Sequence, residues 1–154
     1  MLICDHITML APARSFADLM ELYENNYIYM RRLLPKRVAA GAALCSPGKV
    51  DLHLQVLERS PYTTTVALTH YFESGPGRRA DPDLHVRIYH DAQLAEVQPD
   101  SPLHAFRWSG DRAMPGRRSL PWRWEVNRFL NRWLRYCLSE GHRFDRGSVA
   151  GANT

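Results

Sequence analysis

Between positions 87 and 91 the chain reads Arg-Ile-Tyr-His-Asp, so four of five consecutive residues carry a titratable side chain. A guanidinium forks onto phosphate or carboxylate, a phenol donates to the same oxygens, and an imidazole beside a carboxylate can pass a proton. His85, Arg87 and Tyr89 are spaced by two. In an extended strand they project from one face, opposite Val86 and Ile88. With Thr64 as a further hydroxyl, the residues Arg87, Tyr89, His90, Asp91 and Thr64 make a candidate ligand-binding site for a nucleotide or another small phosphorylated anion. The plainer account is a solvated sheet face ending in a His-Asp turn, aspartate being a frequent turn residue. Polar clusters are more often solvated surface than sites.

Other chemistries have less behind them. His53, His70, His85 and His90 fall on neighbouring strands and could converge on zinc. No His-x-His or His-Glu-x-x-His pattern accompanies them, so no metal ligand and no cofactor are assigned. There is no Gly-x-Ser-x-Gly elbow and no Gly-x-x-x-x-Gly-Lys loop, so no catalytic residue is assigned either. The cysteines are Cys4, Cys45 and Cys137. An odd, widely spaced set argues against a disulfide framework and for a reducing compartment. Cys137 falls on an apolar helix face as an inert core thiol, and Cys45 falls in a loop without an identifiable activating partner. Glu96 is expected to pair with Arg87 or Arg107.

A second candidate surface is basic. Arg128, Arg132 and Arg135 are spaced four and three, so they form one stripe on a helix, with Glu125 placed to pair with Arg128 at i+3. The net charge is +4 and the pI about 9.2. That field fits an acidic protein partner. Trp108, Trp122 and Trp124 interleave with arginines, but no RNA-recognition or helix-turn-helix signature is present, so nucleic acid is the less favoured partner.

The elements that must carry these residues follow from periodicity. Residues 1–14 read as a leader. Ser15 with Asp18 reads as a helix start, Leu19, Tyr23, Tyr27, Met30 and Leu34 share one face, and Pro35 ends the helix. Residues 36–48 read as a connector. Val50 to Val56 alternates as a strand, and Tyr62 to Phe72 is a second, rich in β-branched residues. Glu73 to Asp83 reads as a long polar loop. Leu84 to Tyr89 and Ala92 to Gln98 make two more strands, and Ala105 to Trp108 a short fifth. Pro121 opens a second helix that Gly141 caps, and residues 142–154 read as a flexible tail.

The fold class expected is α+β: an antiparallel sheet of four to five strands flanked by a long N-terminal helix and a long C-terminal helix, forming one domain over 15–141. No apolar run is long enough to span a membrane, and no basic leader precedes an apolar stretch, so a cytoplasmic protein is expected. An exposed sheet edge leaves room for a dimer.

Four ordered blocks carry a family resemblance. They are Glu24-Asn25-Asn26-Tyr27 running into Arg31-Arg32-Leu33-Leu34-Pro35; Tyr62-Thr63-Thr64-Thr65-Val66; Arg87 to Ala92 with Ala95-Glu96-Val97; and Asn127 to Leu130 with Trp133 to Leu138. The chain resembles the YqiB-like family of small bacterial proteins, known as domain of unknown function 1249, over residues 15 to 141. The resemblance implies no activity, cofactor or catalytic residue. Function is therefore read from the residues. The first expectation is a non-enzymatic binding or adaptor module; the alternatives are a protein that binds or turns over a small anionic ligand, and a weak nucleic-acid binder.

Overall fold

The computed structural model describes residues 15–102 and 116–144. Helix α1, Phe16–Leu33, starts at a capping box: Ser15 Oγ accepts from Asp18 N, and Asp18 accepts from Ser15 N. It ends where expected, with Leu34 in extended backbone ahead of Pro35. Its buried stripe is Leu19, Tyr23, Asn26, Met30 and Leu33. The expected stripe counted Tyr27 and Leu34, which are only partly buried. An asparagine inside the apolar face is what hides the true phase from a hydrophobicity pattern.

Five strands follow: β1 Ala43–Ser46, β2 Leu52–Arg59, β3 Thr63–Ser74, β4 Gly77–Tyr89 and β5 Leu94–Val97. They form an antiparallel meander in sequence order. Two expectations are corrected. The connector 36–48 contains the edge strand β1, which pairs Ala43–Ser46 with Leu52–Gln55. Its small residues have little β propensity of their own, so tertiary pairing makes the strand. The supposed loop 73–83 is instead the tip of the β3–β4 hairpin. Ser74 pairs with Gly77, and Gly75 takes φ +59°, the left-handed corner that two-residue hairpin turns demand. The short strand expected at 105–108 lies outside the described residues.

Helix α2, Leu120–Ser139, has Ser119 as its N-cap and Pro121 in its first turn. Gly141, at φ +84°, closes it. Its N–H reaches Leu138 O, and His142 N reaches Cys137 O, the paired bonds of a Schellman end. The chain does not leave the body there. Phe144 is buried, its N–H bonded to Leu33 O at 2.8 Å, so packing runs past the tail boundary expected after 141.

Both helices lie on one face of the sheet. Leu52, Leu54, Val56, Val66, Leu68, Leu84, Val86 and Ile88 alternate inward to meet Trp122, Val126, Leu130 and Leu134 of α2, and Met30 and Leu33 of α1. Helix α1 also packs along β5, covering that sheet edge. Buried asparagines tie the layers together. Asn127 Oδ1 accepts from Val97 N at 2.9 Å, and Asn127 Nδ2 donates to Arg123 O at 2.8 Å. Asn26 Nδ2 donates to Asn127 O, and Asn131 Nδ2 donates to Asn26 Oδ1.

Candidate functional site

With both helices on one face, the other face of the sheet is left uncovered by the described residues. Strand register arranges its side chains in rows. One row runs Cys45, His53, Thr69, Asp83 across β1 to β4; the next runs Ala43, Gln55, Ala67, His85. A third runs Glu58, Thr65, Arg87, Glu96 across β2 to β5. The middle row alternates methyl groups with longer side chains, so Ala43 and Ala67 leave a depression between taller neighbours. It is a groove of about 330 Å³, lined by His53, Gln55, Leu57, Thr69, Tyr71, Asp83 and His85 over an alanine floor. Thr69 Oγ1 donates to Asp83 Oδ1 at 3.0 Å, which holds the carboxylate in place. His53 meets Tyr71 edge-on with ring centroids 4.9 Å apart.

The expected site residues are divided between the two sides of the sheet. Arg87 and Tyr89 do face the open side, beside the groove. Arg87 Nε donates to Thr65 Oγ1 at 3.1 Å, and its guanidinium lies 3.9 Å from Glu58. Tyr89 Oη donates to Glu96 Oε1 at 2.8 Å. Burial first, and that bond second, raise the Tyr89 pKa. Glu96 therefore takes a phenol where an arginine was expected; Arg107 lies outside the described residues. Thr64 has the parity of Val66 and sits in the covered side, 2% exposed. Its Oγ1 lies 2.7 Å from His90 Nε2. Burial, then Arg31 and Arg59, lower the His90 pKa, so that imidazole is neutral at pH 7. Asp91 is exposed and its Oδ1 accepts from Ala92 N in the turn. Thr64, His90 and Asp91 thus belong to the sheet end and its turn, apart from Arg87 and Tyr89.

The basic stripe on α2 is uneven. Arg128 lies 3.7 Å from Glu125, as the i+3 spacing predicts, and is mostly buried. Arg132 and Arg135 are exposed, beside Tyr136.

The four histidines do not converge. His53 and His85 line the open groove, His90 is at the turn, and His70 is 3% exposed on the covered side. Trp133 Nε1 donates to His70 Nδ1 at 3.1 Å, and Cys137 Sγ lies 4.0 Å from His70 Nε2. Burial, then His142 and His53, push the His70 pKa down to about 4. Cys137 is inert core, its thiol pushed up to about 12 by burial. His142 packs against Gly48 so closely that a Cβ there would stand 2.9 Å from its ring. Its Nδ1 is 2.9 Å from Ser46 Oγ, which also accepts from Arg143 N.

Cys45 is not a loop residue. It stands on β1 opposite His53, with Sγ 3.9 Å from His53 Nε2, and Asp51 brings a carboxylate to the same place. These three could hold a metal ion. The groove residues His53, Gln55, Thr69, Tyr71 and Asp83 were absent from the sequence-derived site. The alternation that turns them outward is visible in the sequence; their adjacency depends on register between strands up to thirty residues apart.

The fold and the groove define a small α+β protein with a five-stranded meander covered on one face. The chain belongs to the family described as "Protein of unknown function (DUF1249)", whose model matches residues 29–143. It is 32% identical over 129 residues to uncharacterized protein YqiB of Escherichia coli strain K12, covering 82% of this chain and 90% of that relative. The YqiB proteins of E. coli O6:H1 and O157:H7 match to the same degree. No solved structure matches. No described helix is long and apolar enough to cross a membrane.

Proposed function

We propose that this protein is a binding module that takes a small polar molecule in the groove on the uncovered face of its sheet. The observation that carries this reading is the convergence of two imidazoles, a carboxylate, a phenol and an amide over an alanine floor. Its volume is at the small end of the range for small-molecule sites, and the polar groups that converge on it are of the kind that orient a bound ligand. The groups set the ligand's chemistry. Asp83 and Gln55 accept from hydroxyl or amino groups, while His53, His85 and Tyr71 offer donors. Arg87 stands one row away, already engaged with Thr65 and Glu58. A polar ligand rich in both donors and acceptors therefore fits better than a bare phosphate.

A thermal-shift screen of small polar metabolites tests this. Ligand at a hundred times its dissociation constant stabilises the fold by about 2.7 kcal/mol. Ala67→Leu fills the floor from the open side without touching the core. It should abolish the rise in melting temperature, and a hit that survives Ala67→Leu would refute the placement.

A second reading, an adaptor for an acidic protein, is favoured by the exposed Arg132, Arg135 and Tyr136 on the outer face of α2. Charge reversal at Arg132 and Arg135 should abolish partner recovery, and unchanged recovery would exclude it.

A further inference from the structure

We propose that Cys45, Asp51 and His53 form a binding site for a zinc-class divalent ion at the β1 edge of the sheet. Strands β1 and β2 run antiparallel with Cys45 directly opposite His53. The parity that buries Leu44, Leu52 and Leu54 turns both side chains to the open face. The short connection 47–51 folds back so that Asp51 joins them, its Oδ1 accepting from Gly48 N at 3.1 Å. One donor atom from each of the three residues lies within 4.8 Å of the other two.

Tetrahedral zinc has Zn–S bonds of about 2.3 Å and Zn–N bonds of about 2.0 Å, which set sulfur and nitrogen roughly 3.5 Å apart. The 3.9 Å between Cys45 Sγ and His53 Nε2 is that edge slightly opened. An ion closes it by side-chain rotation, with the strand ladder left in register. The donor set also selects the metal. A thiolate with an imidazole suits zinc and is a poor match for magnesium or calcium, which take oxygen ligands. The Gly48 N–H on one carboxylate oxygen orients Asp51 and leaves its second oxygen to the cation. On binding, the Cys45 thiol gives its proton to solvent, so affinity rises with pH.

Three protein donors leave the fourth tetrahedral position to water or to a molecule in the groove, since His53 is also a groove wall. The site is therefore open, unlike the closed four-ligand sites of structural zinc. The metal site does not depend on the groove-ligand reading, because it is tested with no organic molecule present.

The test is titration of the purified protein with Co(II), a spectroscopic stand-in for zinc. The expected result is a thiolate-to-cobalt charge-transfer band with intense tetrahedral d–d bands, saturating at a single equivalent and displaced by zinc. Cys45→Ser should lose the charge-transfer band, and Cys4→Ser should keep it. His53→Gln and Asp51→Asn should weaken binding ~10-fold or more, with melting in the absence of metal unchanged. No charge-transfer band in the wild type, or a band that persists in Cys45→Ser, overturns the proposal.

Discussion

His70 makes acid a specific threat to this fold. Its ring is 3% exposed, accepts the Trp133 indole N–H on Nδ1, and lies beside Cys137 and His142. Its pKa in the fold is about 4, against 6.5 when unburied. The folded state therefore refuses a proton that the unfolded chain accepts. Above pH 6.5 neither state is protonated and the full stability is present. As pH falls from 6.5 toward 4 the unfolded chain gains the proton and stability is lost. Integrating the difference gives a loss of about 3 kcal/mol between pH 7 and pH 4. The lowered pKa values of His90 and His142 act in the same direction. The perturbation that isolates His70 is His70→Asn, whose amide oxygen can still accept from Trp133 but does not titrate. Urea denaturation at a series of pH values gives the unfolding free energy of both proteins. The wild type should lose about 3 kcal/mol more than His70→Asn across that range. Parallel pH profiles would refute the reasoning.

Two further outcomes follow from how the layers are joined. Asn127→Leu keeps the volume but strips Val97 N of its buried acceptor, and should cost about 2–3 kcal/mol in urea denaturation; a change under about 0.5 kcal/mol would show that the N–H finds another partner. Gly141→Ala forces a Cβ into the left-handed corner that ends α2 and should cost about 1 kcal/mol, a drop in melting temperature of roughly 2–4 °C; a neutral result would mean that the helix can end elsewhere.

Much of the architecture was legible because local chemistry and tertiary context agree. Ser15 with Asp18, Pro35, Pro121 and Gly141 mark the helix ends by local chemistry alone, and the alternation at 52–56 and 84–88 gives both strands and their buried faces. Legibility failed where tertiary context decided. Ala43–Ser46 has little strand propensity and is a strand because β2 offers it an edge. The Gly- and Pro-containing run at 73–83 looks like a loop, yet only Gly75-Pro76 forms the turn while the flanks continue the ladder. Asn26 was invisible as core because an asparagine scores as polar until its partners on α2 are seen.

The candidate site divides the same way. Period two placed Arg87 and Tyr89 together and sent Val86 and Ile88 to the core. The same rule separates Thr64 from Thr65 and from Arg87, so Thr64 could not have joined them once β3 was phased on Val66 and Leu68. The groove needed knowledge of which rows are adjacent, and so did the meeting of Cys45 with His53. Single-chain periodicity carries neither.

The groove-ligand reading is tested most directly by recording amide NMR spectra of the labelled protein during titration with a hit from the small-molecule screen. The largest shifts should cluster at Ala43, Gln55, Ala67, Asp83 and His85, with the outer face of α2 unmoved. Shifts centred on Arg132, Arg135 and Tyr136, or at Thr64 and His90 with the groove silent, would contradict it.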